Sequence, residues 1–297
     1  MRAVVTGGAG FIGSNLVDAL IARGDEVTVV DNFASGKRQN LNPEARLLEQ
    51  DIREPLSLDA DLIFHLAAQA DVQTSMKRPE YDAAVNVVGT VNVLSACAGA
   101  QVIFASSGGA GYGECPVPAT EEAPFEPLSP YGIAKKCGEE YLAGWNRIHK
   151  TVHIALRFAN VYGPRQDSGL EGGVVAIFLE RMARGEPSMI FGDGEQARDF
   201  VYVDDVVDAM LAAAGRTGGP FNIGTGAATT INELHAACRR VSGIAEPPQH
   251  EPARLGDVLQ SVVDPGRASR ELGWRPRVAL EDGLARTWAW TKEAAGS

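Results

Sequence analysis

The stretch Thr6-Gly7-Gly8-Ala9-Gly10-Phe11-Ile12-Gly13 decides the fold. It follows Arg2-Ala-Val-Val-Thr6, which reads as a short buried strand. It opens a helix running to about Arg23, with apolar residues at helical spacing: Phe11, Ile12, Leu16 and Leu20. A second strand, Glu26-Val-Thr-Val-Val30, ends in Asp31. Strand, glycine turn, helix and a strand ending in an acid compose a dinucleotide-binding unit. Gly7, Gly10 and Gly13 let the backbone approach a pyrophosphate, and the helix N-terminus offers it unpaired N–H groups and a positive dipole end. The spacing is Gly7-x-x-Gly10-x-x-Gly13, not G-x-G-x-x-G, so the strand-helix-strand setting carries the reading.

Working outward, Asp31 lies eighteen residues after Gly13. There it accepts hydrogen bonds from an adenosine ribose and repels a 2′-phosphate, which selects NAD; Lys37 and Arg38 would suit a phosphate but lie farther into the loop. Asn32, Phe11 and Ile12 complete this end of the cofactor site. A third strand, Arg46 to Gln50, leads to Asp51 and Ile52 at the expected adenine edge. A fourth, Asp61 to Leu66, opens into Ala67-Ala68-Gln69, so Leu66, Ala67 and Ala68 let the backbone pass close to the cofactor. His65 reads as a packed strand-end histidine. A helix from about Glu80 to Ala98 carries Asn86, counted on the cofactor side, whose amide either holds the loop after the fourth strand or is solvated.

A fifth strand, Gln101 to Ala105, a helix from Tyr131 to about Lys150 and a sixth strand, Thr151 to Arg157, continue the alternation. The expected fold is α/β: a Rossmann-type doubly wound parallel sheet with helices on both faces, plus a smaller C-terminal α/β substrate lobe. Sites in such sheets lie beyond the carboxyl ends of the strands, where Asp31, Asp51, Ala67, Ser106 and Ser107 all fall. The expected division is 1–165 plus 199–224 for the NAD-binding domain and 166–198 plus 225–297 for the substrate lobe.

The 297 residues carry a net charge of −11, with 45% hydrophobic and 22% charged residues; the pI is near 5.0. That balance disfavours nucleic-acid or anionic-membrane partners. Cys97, Cys115, Cys137 and Cys238 show neither C-x-x-C nor metal-site spacing, so no metal is expected. With no signal-peptide pattern and no membrane-length apolar run, the expected location is the cytoplasm.

The chemistry-bearing residues follow the fifth strand: Ser106-Ser107-Gly108-Gly109-Ala110-Gly111-Tyr112-Gly113, then Ser129-Pro130-Tyr131-Gly132-Ile133-Ala134-Lys135. With Pro130 at the first helical position, Tyr131 and Lys135 fall on one helical face. An ammonium beside a phenol favours the phenolate. With a strand-end serine, such a tyrosine moves a proton to or from a sugar hydroxyl.

These segments resemble the extended short-chain dehydrogenases/reductases of the nucleotide-sugar class, nearest to the UDP-glucose (UDP-galactose) 4-epimerases. The resemblance spans essentially the whole chain: Thr6 to Gly13, Val30-Asp-Asn32, Phe64-His-Leu-Ala-Ala68, Ser129 to Lys135, Leu156 to Pro164, Arg198 to Asp205 and Glu271-Leu-Gly-Trp274. It implies tightly held NAD and a homodimer through the helices near 80–98 and 131–149. It implies that Tyr131 takes the proton from the sugar 4-hydroxyl, Lys135 lowers the tyrosine pKa and binds the nicotinamide ribose, and a 4-keto intermediate rotates before hydride returns. The serine is Ser107, or Ser106, because the turn before Tyr112 is one residue longer than the family's. It further implies that Asn160, Arg198, Arg254, Phe191 and Asp257 bind the UDP-sugar. Ser261 stands where glucose-only epimerases carry a tyrosine, leaving room for an N-acetyl group.

Alternatives stay open. Related dehydratases and decarboxylases carry acids where this chain has Gly109, Ala110 and Gly111, which disfavours elimination. A UDP-glucuronate 4-epimerase fits the same framework. A non-enzymatic NAD-binding sensor is the remaining class, against which stand Tyr131, Lys135 and both serines.

Overall fold

A computed structural model describes residues 1–169, 173–253 and 258–295. The first half alternates as expected: β1 (Arg2–Thr6), α1 (Phe11–Ala22), β2 (Glu26–Asp31), β3 (Arg46–Glu49) and β4 (Leu62–His65). Helices α2 (Val72–Lys77), α3 (Pro79–Ala83) and α4 (Gly89–Ala96) follow, then β5 (Gln101–Ser107), the single turn α5 (Gly108–Gly111), α6 (Pro130–His149) and β6 (Ile154–Phe158). The helix expected from Glu80 to Ala98 is interrupted: a π-turn at Ala84–Val88 joins α3 to α4. The fifth strand runs two residues longer than expected, pairing Ser106 with Arg157 and Ser107 with Phe158.

Beyond β6 the elements shorten, through β7 (Asn160–Tyr162), α7 (Val174–Ala183), β8 (Met189–Phe191), β9 (Ala197–Arg198), β10 (Phe200–Tyr202), α8 (Val203–Ala213) and β11 (Phe221–Ile223). The chain closes with β12 (Thr229–Thr230), α9 (Ile231–Ser242), β13 (Gln249–Glu251), β14 (Gln260–Ser261), α10 (Gly266–Glu271) and α11 (Leu280–Ala295). Asp205 lies buried in the first turn of α8 and accepts from the Arg277 and Val278 N–H groups at 2.9 and 3.0 Å.

Seven parallel strands make the main sheet in the order β11-β6-β5-β4-β1-β2-β3, the doubly wound order reversing at β1 and β4. Period-2 alternation sorts its side chains. Val5, Phe64 and Ile103 face Leu16 and Leu20 of α1 and Met210 of α8, whereas Val4, Ile63 and Phe104 face Val93 and Leu94 of α4 and Leu142 of α6. Both faces are covered, as a parallel sheet requires. Phe64 and Phe104 are essentially inaccessible, and burying each contributes about 1.5–3 kcal/mol. A third core gathers Phe178 and Leu179 of α7, Leu234 and Cys238 of α9, and Leu284 of α11. Around it run the small sheets β12-β9-β14, β10-β7 and β13-β8. Among the described residues no helix is long and apolar enough to cross a membrane.

Candidate active site

A crevice of about 440 Å³ opens at the carboxyl ends of β1, β2, β4 and β5, where the strand order reverses. Its floor is the glycine turn. The Gly7 N–H donates to the Val30 carbonyl at 2.8 Å, and the Gly10 N–H returns to the Gly7 carbonyl at 3.1 Å. Gly7 has φ +73°, and a Cβ there would stand 2.7 Å from the Ala67 nitrogen. A Cβ on Gly13 would collide with the Gly7 carbonyl oxygen. Only glycine builds this cradle. Phe11, Ile12, Leu66, Ala67 and Ala68 line it as expected.

At the carboxyl end of β2, Asp31 accepts from the Ala9 and Phe33 N–H groups at 2.9 and 2.8 Å. Both cations that a 2′-phosphate would seek are engaged: Lys37 pairs with Asp167 at 2.9 Å and Arg38 with Glu49 at 2.5 Å. Asn32 donates to Asp51 at 2.8 Å. Hydrogen bonds from Arg53 and Asn32 hold the Asp51 carboxyl down at about 2 against partial burial. Asp51 and Ile52 line the same end of the crevice.

Behind β4, His65 is packed, as its sequence context suggested. Thr90 Oγ1 gives its proton to the Asn86 carbonyl at 2.7 Å. His65 Nε2, 3.0 Å away, is therefore the donor to Thr90, and Nδ1 accepts from Thr6 at 2.8 Å. Burial holds the ring neutral, at a pKa of about 3, with Lys135 adding to the effect. Asn86 needs correction as a cofactor contact. It is 2% exposed and does not line the crevice; its amide brackets the Gln69 backbone, accepting from the N–H at 3.0 Å and donating to the carbonyl at 2.9 Å. It shapes the loop rather than touching what the loop contacts.

Ser129 caps α6 through the Gly132 N–H at 3.2 Å, and Pro130 takes the first helical position. Tyr131 and Lys135 therefore share one face, both lining the crevice. Lys135, 3% exposed, donates to the Ala105 carbonyl at 2.9 Å and lies 5.7 Å from the Tyr131 ring centre. Burial brings its pKa down to about 8, opposed by the charges of Asp82 and Glu139. Burial also pushes Tyr131 up to about 12, opposed by a hydrogen bond from Ser107. The phenol is thus carried upward by desolvation, with the charge of Asp82 adding to it, and not downward by Lys135 as expected.

The two serines differ in their commitments. Ser106 donates to Glu139 at 2.5 Å, and Glu139 is bound along two edges by Arg157 at 2.7 and 3.0 Å. That buried group extends through Tyr112 to Asn222. Ser107 accepts from the Ala110 N–H at 3.1 Å and reaches Tyr131. Both serines line the crevice, but Ser106 is committed to Glu139 whereas Ser107 is turned to Tyr131.

A second cavity, about 340 Å³, adjoins the first, sharing Gly109, Ala110, Asn160 and Arg198. Phe191 lines its far wall. Ser261 pairs in register with Arg198 across β14 and β9, and its hydroxyl points to the Gly109 carbonyl at 3.5 Å. Arg254 and Asp257 lie outside the described residues. Sequence reading missed Gln69, Arg165 and Gln166 in the crevice wall. Arg165 Nη1 and Gln166 Oε1 are buried polar atoms with no partner among the described residues, and Arg165 has φ +71°. Their signal was their place directly after Gly163-Pro164. The glycine cradle, the ribose-end carboxylate and these unpartnered polar atoms fit a dinucleotide.

The profile of the NAD dependent epimerase/dehydratase family matches residues 3–224. The chain is 45% identical to UDP-glucose 4-epimerase of Mycolicibacterium smegmatis over 97% of each chain. It superimposes on UDP-glucose 4-epimerase of Thermotoga maritima, solved with UDP-glucose, with a TM-score of 0.96 and 46% identity, covering 99% of this chain and 100% of that one. With the Thermus thermophilus UDP-glucose 4-epimerase complexed with NAD, the TM-score is 0.93 and the identity 40%, over 99% and 100% of the two chains.

Proposed function

The chain belongs to the NAD dependent epimerase/dehydratase family, and on that footing we propose that it interconverts the carbon-4 epimers of UDP-glucose and UDP-galactose through a 4-keto intermediate. The observation that carries this reading is the meeting of Ser107, Tyr131 and Lys135 where the cofactor crevice joins the second cavity. Elimination would need an acid and a base at the turn after β5, and Gly109, Ala110 and Gly111 supply neither.

Gly7, Gly10 and Gly13 hold the pyrophosphate of NAD, Asp31 the adenosine ribose, and Asp51 with Ile52 the adenine. Bound there, NAD supplies the acceptor and donor of hydride at the sugar's carbon 4. Tyr131 takes the 4-hydroxyl proton and later returns it, with Ser107 sharing its path. Lys135, anchored on the Ala105 carbonyl, keeps positive charge beside the phenol. Arg198 and Asn160 bind the diphosphate, joined by Arg254, while Phe191 packs on the base; guanidinium forks suit paired phosphate oxygens. Ser261 and Asp257 flank the sugar. With a small side chain at 261 the enzyme also takes UDP-N-acetylglucosamine and its galacto epimer.

We assign the NAD-binding domain to 1–165 with 199–224 and the nucleotide-sugar lobe to 166–198 with 225–297; a core that gathers α7, α9 and α11 supports a second lobe, joined to the first through Tyr162, Phe200 and Tyr202. A homodimer is supported by exposed apolar side chains at Val88, Ile133, Tyr141 and Ile148. A cytoplasmic, reducing location is supported by four free cysteines.

Product analysis tests the reading. Purified protein incubated separately with UDP-galactose, UDP-N-acetylgalactosamine and UDP-glucuronate should convert the first two. Conversion of UDP-galactose alone removes the N-acetyl claim. Product from glucuronate alone moves the assignment to a uronic-acid enzyme.

A further inference from the structure

One buried carboxyl beside the site has no part in the scheme above. Asp82, on α3, is 1% exposed. Its Oδ1 accepts from Gln69 Nε2 at 2.8 Å and Asn86 Nδ2 at 2.9 Å. Its Oδ2 is buried and has no partner among the described residues. Burial raises the Asp82 carboxyl, opposed by the hydrogen bonds from Gln69 and Asn86 and by the charge of Lys135; a buried carboxylate with one bare oxygen is costly unless such a charge lies near. α3 packs against α6, the helix that carries Tyr131 and Lys135. Asp82 interacts electrostatically with both of them.

We infer that Asp82 is a positioning residue for the proton transfer: its carboxylate is the buried counter-charge to Lys135, and it sets the pH range in which Tyr131 and Lys135 act. The inference rests on the epimerase reading for its kinetic form only. The charges facing the pair are few. From α6 they are Lys135, Tyr131 and, one turn on, Glu139, which Ser106 and Arg157 already engage. From β4 comes His65, held neutral by burial. From the loop before α2, Asp71 spends its carboxylate on capping Thr74. On α3's own side, Arg78 lies over the Tyr81 ring at 4.5 Å; Lys77 and Glu80 are exposed.

The sign follows from Coulomb attraction. A carboxylate near Lys135 favours the ammonium and opposes the Tyr131 phenolate. Removing that charge lowers the pKa of both groups together, so both limbs of the pH–rate profile should move toward acid. A brace that only held Asn86 and Gln69 would change the rate and leave the limbs in place.

The test compares wild-type and Asp82→Asn holoenzymes, both with NAD bound. The first readout is the pH profile of kcat with UDP-galactose. The second is the near-ultraviolet titration of the Tyr131 phenol, isolated by subtracting Tyr131→Phe. The expected result is a shift of about 0.5–1 pH unit toward acid in both limbs and in the phenol titration. Limbs and titration that stay in place, whatever the rate, overturn the inference. Should the Asn variant not fold, Asp82→Ala removes the charge without burying an amide and is judged by the same shift. Absent turnover in the wild type would defeat the epimerase reading, while the phenol titration would still decide the role of Asp82.

Discussion

The cofactor crevice and the adjoining substrate cavity share a wall at Gly109, Asn160 and Arg198, yet they are built by different means. The crevice is a backbone object. Its shape comes from Gly7 and Gly13 packed against the Ala67 and Gly7 main chain, on a parallel sheet covered on both faces. The cavity is a side-chain object, walled by Phe191 of the three-residue β8 and Arg198 of the two-residue β9, with Ser261 of β14 held in register beside Arg198. Close backbone packing tolerates almost no change, whereas a side-chain wall can be altered one residue at a time. Changes in the crevice should therefore abolish function, and changes in the cavity should redirect it.

The largest effect is expected at Gly13. Gly13→Ala forces a methyl into the Gly7 carbonyl; it should cost about 1–3 kcal/mol in stability and leave protein that no longer retains NAD, read by denaturant unfolding and cofactor content. On the crevice side of the shared wall, Ser107→Ala should cut turnover by about 10²-fold with the melting temperature held. Ser106→Ala should do the reverse, losing about 1–3 kcal/mol because Glu139 loses a buried donor. Equal kinetic losses in the two variants would erase the distinction drawn between them.

Beside the cavity wall at Arg198, Ser261→Tyr should keep UDP-galactose conversion and lower that of UDP-N-acetylgalactosamine by at least about tenfold. Equal losses on both sugars would mean that the wall is as intolerant as the cradle. The smallest effect belongs to Asp51 at the crevice edge. Its carboxyl is held at about 2, below the value near 3.9 of an unfolded chain. Its contribution is therefore complete above about pH 4 and lost as pH falls through about 2. Asp51→Asn should destabilise the protein by about 1–2 kcal/mol at neutral pH, and urea unfolding at falling pH should show the difference closing.

How much of this was legible in the sequence follows the same divide. The glycine turn, Asp31 and the strand alternation are local patterns, and each appears where its spacing placed it. Pro130 after a capping Ser129 fixed the face of Tyr131 and Lys135 in the same way. What the chain order could not show depends on distant partners. Glu139 claims Ser106 from thirty-three residues away. Asn86, within the π-turn at Ala84–Val88, turns inward to the Gln69 backbone. Desolvation of Tyr131 by packed neighbours raises the phenol, against the lowering that its spacing from Lys135 suggested. The seventh strand, β11, joins β6 only after the smaller elements intervene.

The central claim is that Tyr131 carries the proton at carbon 4, and Tyr131→Phe tests it most directly. The variant should fold, retain NAD and lose about 10²–10⁴-fold in conversion of UDP-galactose to UDP-glucose. A folded, NAD-loaded variant that converts UDP-galactose at the wild-type rate would contradict it.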